Sequence, residues 1–282
     1  MFSPQTDLDP WALQVSAGCS LAAYQAGAIS DAPGWRELNL ELVGQPFENA
    51  DKKLRGFVAQ NNRHVVVSFR GTIATEIVNW KRNIDLAPYP TEPNAESRVH
   101  AGFNEAFDAL QSQIRTLLKP LQIGSRQVIL TGHSLGAAMA VIAGFRLHDL
   151  LKSPDVFTFG QPMVGNEMFS RIYPASLYRF VNDKDPVPLV PEVRGYRHFG
   201  RLIHFDSRGR IMSTTGLALQ LQTALKVVAQ LKELRNRTGD GKSLAALARE
   251  RTSQIVIEAV GDHSMSAYQT LIAKNFPPLN GP

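Results

Sequence analysis

Apolar positions along the chain fall into short runs and longer spaced sets that alternate. His64 to Phe69 reads HVVVSF, and the unbroken run Val65-Val66-Val67 suits a strand covered on both faces. Arg55 to Ala59 precedes it across the polar turn Gln60-Asn61-Asn62-Arg63, so two consecutive strands are expected there. The period then changes. From Ala101 to Leu118, Phe103, Phe107, Leu110, Ile114, Leu117 and Leu118 recur at helical spacing and stop before Pro120. Strands are expected at Val128–Thr131, Val156–Phe159, Leu177–Val181, Ile203–Asp206 and Ile255–Val260, with a helix over Leu135–Leu151. A further helix is expected over 11–30, where Ala12, Ala17, Ala22, Ala23 and Ala26 allow close packing. Strands alternating with helices predict an α/β protein, a mostly parallel central sheet with helices on both faces. One domain over residues 1–282 is expected.

Thr214 to Arg251 interrupts this alternation. Leu217, Leu221, Ala224, Leu225, Val228 and Leu231 share one helical face, with Gln220, Gln222, Lys226, Gln230 and Lys232 largely opposite. A turn over Asn236–Lys242 and a short helix complete an inserted helical hairpin at 214–251. Its apolar stripe would pack on the core; the competing reading sets stripe and flanking cations against an anionic lipid surface.

Composition narrows the classes. Of 282 residues, 44% are apolar and 20% charged, an ordinary globular balance with enough chain for a full core. The single cysteine, Cys19, excludes a disulfide within the chain and a cysteine-type zinc site, so no metal is expected. No run of 18 apolar residues is present, and the first twenty residues lack a basic start followed by an apolar stretch. With no transmembrane segment or cleavable signal read, the expected location is the cytoplasm, or outside by a route the sequence does not spell. The net charge of +5 sits mostly in residues 214–251, which hold seven basic and three acidic groups. Without a basic stripe or recognition module, nucleic-acid binding is not expected.

Val128 to Ala138 carries the chemistry. A strand runs into Gly132-His133-Ser134-Leu135-Gly136 and then into a helix that opens with small residues. A serine on a tight strand-to-helix turn stands clear of the sheet, and the two glycines are needed because a β-carbon would collide across the turn. The helix N-terminus adds free N–H groups beside the attacking oxygen. Ser134 is the candidate nucleophile.

Such a serine needs a base, and the base an orienting acid. In a sheet of this kind they follow in the order Ser, Asp or Glu, His. That order leaves His198, His204 and His263. The first two lie in or beside a strand, where structural roles are expected; His263 follows the last expected strand and is the candidate base. The acid belongs in the loop after Leu177–Val181, Asn182-Asp183-Lys184-Asp185-Pro186, where pattern alone leaves Asp183 and Asp185 nearly even.

Six ordered motifs carry a resemblance across roughly residues 55–270. They are Val66 to Thr72, Val99 to Phe103, Gly132 to Gly136, Thr158 to Asn166, Asn182 to Pro188, and Asp262-His263 followed by Tyr268. Together they resemble the class 3 (fungal-type) triacylglycerol lipase family of the α/β-hydrolase superfamily. The resemblance implies that Asp185 is the acid, and that an oxyanion hole is formed by the Thr72 N–H and hydroxyl with the Leu135 N–H. It also implies a short amphipathic lid over 73–80, in which Ile73, Ile77 and Val78 would close over the serine and turn outward at a lipid surface. Three departures stand out. Met163 replaces a common arginine, Tyr268 lies five residues after His263 where three is usual, and the disulfides and signal of extracellular fungal members are not seen. The first two are expected to alter packing or pocket shape rather than chemistry.

Three local patterns are set aside. Gly241-Lys242-Ser243 lacks the first glycine and preceding strand of a phosphate loop, Asn236-Arg237-Thr238 matters only in a secretory lumen, and Asp206-Ser207-Arg208-Gly209 is a turn. The reading expected from the resemblance is a serine carboxylic-ester hydrolase acting on acylglycerol or related lipid esters, without organic cofactor. The alternatives are a short-chain or aryl esterase that needs no interface and a catalytically silent lipid-binding fold. The complete Ser134, Asp185, His263 set argues against the last.

Overall fold

The computed structural model describes residues 8–71, 86–88, 96–191, 194–212 and 261–277. The 214–251 insertion, the strand expected at 255–260, the lid segment and Thr72 lie outside these residues.

The described chain begins with helix α1 (Pro10–Ala22), started by Asp9, whose carboxylate accepts from the Trp11 N–H, and by proline at its first turn. It is shorter than the 11–30 expected. Tyr24 and Gln25 switch to tighter bonds back to Leu21 and Ala22, and 3₁₀ turns at 29–31 and 36–38 follow. Short strands β1 (Glu41–Leu42) and β2 (Phe47–Asn49) flank β3 (Leu54–Gln60), which pairs antiparallel with β4 (His64–Phe69). Their connection is tied by Asn61 Oδ1, which accepts from the N–H groups of Arg63 and His64 at 2.9 and 2.8 Å.

After β5 (Leu86–Pro88) and β6 (Arg98–His100) comes α2 (Ala101–Leu118), with the bounds the periodicity predicts. Strand β7 (Gln127–His133) leads into α3 (Leu135–Arg146) and α4 (His148–Leu151); the single helix expected over 135–151 is broken at Leu147 (φ −112°, ψ 13°). Then follow β8 (Asp155–Phe159), β9 (Gly165–Asn166), α5 (Glu167–Ile172), β10 (Ser176–Asn182), β11 (Tyr196–Arg197), β12 (Arg201–Phe205) and α6 (Met265–Asn275).

The main sheet has the order β1-β3-β4-β7-β8-β10-β12, with β2 beside β3. From β4 onward every pairing is parallel, so the mostly parallel sheet is borne out. A small antiparallel sheet, β11-β9-β6-β5, was not legible in the pattern, because two- and three-residue strands carry no period.

The VVV run shows why both faces need covering. Val65, Val67 and Phe69 point into one core with Val128, Leu130 and Val156, under α2 and α3. Val66 points into the other with Ile129, Phe157, Phe159 and Phe180, under α1 and α6. Alternate residues therefore feed opposite cores, and the central strands carry apolar residues on both faces. This arrangement brings the C-terminal ends of β7 and β10 to one edge, where the parallel sheet opens onto its loops.

Candidate active site

Ser134 lies between β7 and α3 with φ 59° and ψ −124°, a backbone region that L-residues rarely adopt. Two glycines make that turn possible. A β-carbon on Gly132 would run into the backbone of Gly136, and one on Gly136 into the Phe69 carbonyl of the neighbouring strand β4. The Ser134 N–H is held by the Phe159 carbonyl at 3.0 Å, which fixes the turn to β8. Leu135 is the first helical residue, so its N–H is among the first-turn amides that the helix does not use internally.

Asp185 and His263 meet across 78 residues of sequence. His263 Nδ1 lies 2.9 Å from both carboxylate oxygens of Asp185. Because a carboxylate only accepts, Nδ1 donates and Nε2 is left as the ring's basic atom. Both Nε2 and the Ser134 hydroxyl are buried without a hydrogen-bond partner among the described residues. Asp185 also accepts from the Val187 N–H at 2.9 Å and from the Tyr268 hydroxyl at 2.5 Å. Burial pushes its carboxyl up, but the positive charge and hydrogen bond of His263, with the hydrogen bonds from Tyr268 and the Val187 N–H, hold it below the usual carboxylate value.

The two aspartates that pattern could not separate have distinct surroundings. Asp183 takes a positive φ in the turn, its carbonyl bonds to His204 Nε2 at 3.1 Å, and its carboxylate is 4.0 Å from Lys184 Nζ. Only Asp185 of the two faces His263. His198 bonds to the Pro188 carbonyl at 2.6 Å. Burial, helped by the nearby Arg179 charge, pushes the His198 ring down to about 3, so it is neutral.

Tyr268 lies five residues after His263, a spacing expected to alter packing rather than chemistry; α6 turns its hydroxyl onto Asp185 and lets it accept from the Asn182 N–H at 3.0 Å. Ser264 caps α6 directly after His263, accepting from the Ala267 N–H at 3.2 Å. Gly160, at φ 55°, is a second contact the pattern did not single out. A β-carbon there would sit 2.7 Å from Asp185 Oδ2 and 2.9 Å from His263 Nδ1. Thr72, Ile73, Ile77 and Val78 lie outside the described residues. Among the described residues, no group of three or more His, Cys, Asp or Glu side chains could hold a metal ion.

Fold and geometry together define a chain of the α/β-hydrolase fold, with Ser134 on a strained strand-to-helix turn and a hydrogen-bonded Asp185–His263 pair. Residues 66–195 match the family model described as Lipase (class 3), so the family resemblance read from the motifs is borne out. The chain is 34% identical over 150 residues to secreted mono- and diacylglycerol lipase 1 of Fusarium solani, covering 50% of this chain and 44% of that protein. It is 31% identical over 151 residues to a lipase of Rhizomucor miehei, covering 50% and 41%. Among solved structures, the lipase of Rhizopus microsporus var. chinensis superimposes with a TM-score of 0.59 at 26% identity, over 69% of this chain and 74% of that one. The chain thus spans less than half the length of these curated relatives. One of them is described as secreted, and the cytoplasmic location expected from the sequence finds no support among them. No helix among the described residues is long and apolar enough to cross a membrane.

Proposed function

We propose that the chain hydrolyses carboxylic esters of lipids, acylglycerols first among them, through an acyl-enzyme on Ser134. The observation that carries this reading is the Asp185–His263 pair, held at 2.9 Å with the opposite imidazole nitrogen free to accept a proton. In the proposed cycle Ser134 Oγ attacks the acyl carbon and its proton passes to His263 Nε2. The negative charge on the carbonyl oxygen is taken up by the Leu135 N–H and by the N–H and hydroxyl of Thr72. As the ester C–O bond breaks, His263 returns the proton to the departing alcohol. Water then attacks the acyl-serine, giving a proton to His263; the carboxylic acid leaves and Ser134 recovers its proton. Asp185 accepts from Nδ1 throughout, which fixes the ring and stabilises the transient imidazolium.

The family match and the named lipases support lipid esters as the substrate class. The apolar positions Ile73, Ile77 and Val78 support a lid that opens at a lipid surface. The test is the initial rate on nitrophenyl esters from acetyl to palmitoyl and on emulsified triacylglycerol, with Ser134→Ala as control. A preference for long chains that rises at the emulsion surface is expected. Fast acetyl cleavage with no emulsion activity would replace the lipase by an esterase, and no organophosphonate adduct on Ser134 in folded protein would overturn the hydrolase reading itself.

A further inference from the structure

Tyr24, just past the end of α1, bonds through its hydroxyl to His133 Nδ1 at 2.7 Å, and His133 Nε2 lies 2.7 Å from the His263 carbonyl. The directions follow from chemistry. A carbonyl only accepts, so Nε2 carries the proton. Burial, reinforced by the His263 charge, pushes His133 down to about 3, so the ring is neutral and its Nδ1 accepts from Tyr24. The Tyr24 oxygen also lies against Gly71, where a β-carbon would run into that oxygen and into the His133 carbonyl. One chain of contacts therefore joins Gly71, His133 (the residue next to Ser134) and the backbone of His263.

We propose that Tyr24 and His133 are positioning residues that hold His263 in register with Ser134 and lock the His133 ring as the neutral Nε2–H tautomer. This rests on the ester-hydrolase reading above. The loop that carries His263 offers little regular structure of its own, since His263 falls between helical Gly261-Asp262 and the cap of α6. Its carbonyl is instead anchored by His133, whose ring lies 4.5 Å from the His263 ring at 35°. Among the described residues, the groups facing His133 are Tyr24, His263, Asp185 and Tyr268, the last with ring centroids 6.0 Å away. Of these Asp185 carries a negative charge, and in the proposed cycle His263 becomes the imidazolium beside it. A flipped His133 tautomer would aim a lone pair at the His263 carbonyl and push the base off line. A misplacement of about 1 Å is worth on the order of 10²-fold in rate.

The test compares Tyr24→Phe, His133→Leu and His133→Gln with the parent, using kcat and KM on a nitrophenyl ester and the rate of Ser134 phosphonylation. Glutamine keeps an N–H for the His263 carbonyl and an acceptor for Tyr24; leucine keeps neither. Expected are a fall of roughly 10- to 100-fold in kcat and phosphonylation for Tyr24→Phe and His133→Leu with KM unchanged, and recovery of most of that loss in His133→Gln. Parental rates in Tyr24→Phe, or equal losses in His133→Leu and His133→Gln, would overturn the proposal. So would losses that follow the melting temperature rather than the hydrogen bond. A parent chain that is folded yet never phosphonylated would instead overturn the hydrolase reading, so the two failures are distinct.

Discussion

The Tyr268 hydroxyl donates to Asp185 Oδ2 at 2.5 Å while accepting from the Asn182 N–H at 3.0 Å, so one phenol ties α6 to the end of β10 and to Asp185. Tyr268→Phe leaves a buried carboxylate short of a donor and a buried amide short of an acceptor. The expected loss is about 1–3 kcal/mol of stability at neutral pH. The pH dependence has a fixed sign. Asp185 is held below its ordinary value of 3.8, so its ionisation stabilises the fold above that pH and the contribution is lost as pH falls through the depressed folded value. The phenylalanine variant raises the folded value, so its deficit in melting temperature should be largest near pH 7 and shrink in acid. Melting curves from pH 3 to 8 decide; a deficit that does not vary with pH would remove Asp185 from the explanation.

Gly160 packs against both Asp185 and His263. At φ 55° a β-carbon costs about 1–2 kcal/mol in backbone strain. It would also wedge 2.7 Å from Asp185 Oδ2 and 2.9 Å from His263 Nδ1. Gly160→Ala is therefore expected to lose more activity than its strain alone explains, on the order of 10²-fold in kcat. Its far-ultraviolet circular dichroism should be unchanged. An alanine variant as active as the parent would mean that the loop yields rather than the pair.

The parts of this molecule legible in its sequence are those encoded locally. The VVV run predicts a strand buried on both faces, and Val65 and Val66 do enter opposite cores. The glycines at 132 and 136 are where the turn needs them. What could not be read is contact between distant segments. Nothing in the spacing of Asp183 and Asp185 says which carboxylate will meet a histidine some 80 residues on. Tyr24 and His133 are 109 residues apart. Tyr24 is an unremarked residue past a helix end, and only the folding of α1 against β7 gives it a partner. His133 was in view within the pentapeptide, but its bond to a carbonyl 130 residues away left no mark in the pattern. The break at Leu147 went unread for a different reason, since the apolar spacing continues across it.

Asp262, next to His263, offers a stability change of opposite sign to Asp185. Burial and the neighbouring Asp183 and Asp185 charges raise its carboxyl from 3.8 to about 6, against the hydrogen bond from the Lys184 N–H. A raised folded value means the native state binds more protons than the unfolded one between these two pH values, so stability falls as pH rises across that window. Asp262→Asn removes the charge and can keep the 3.2 Å bond to the Lys184 N–H. It should raise the melting temperature at pH 8 and leave it near the parental value at pH 4. Equal shifts at both values would show that the carboxyl is not perturbed in this way.

The nucleophile turn stores energy that a glycine would release. Ser134 is held at φ 59°, ψ −124°, and its hydroxyl is buried without a partner among the described residues. Each feature destabilises the fold, the backbone by about 1–3 kcal/mol and the unsatisfied hydroxyl by a similar amount. Ser134→Ala removes the second cost only, because a β-carbon remains. Ser134→Gly removes both, against a loss of about 0.5–1 kcal/mol from the greater freedom of glycine in the unfolded chain. Both variants should be inactive and more stable than the parent. Whether glycine exceeds alanine depends on the strain being larger than that entropic loss, and at this φ and ψ it should be. Urea unfolding of the three proteins at one pH gives the two differences directly, and a glycine variant less stable than the alanine variant would show that the elbow is not strained.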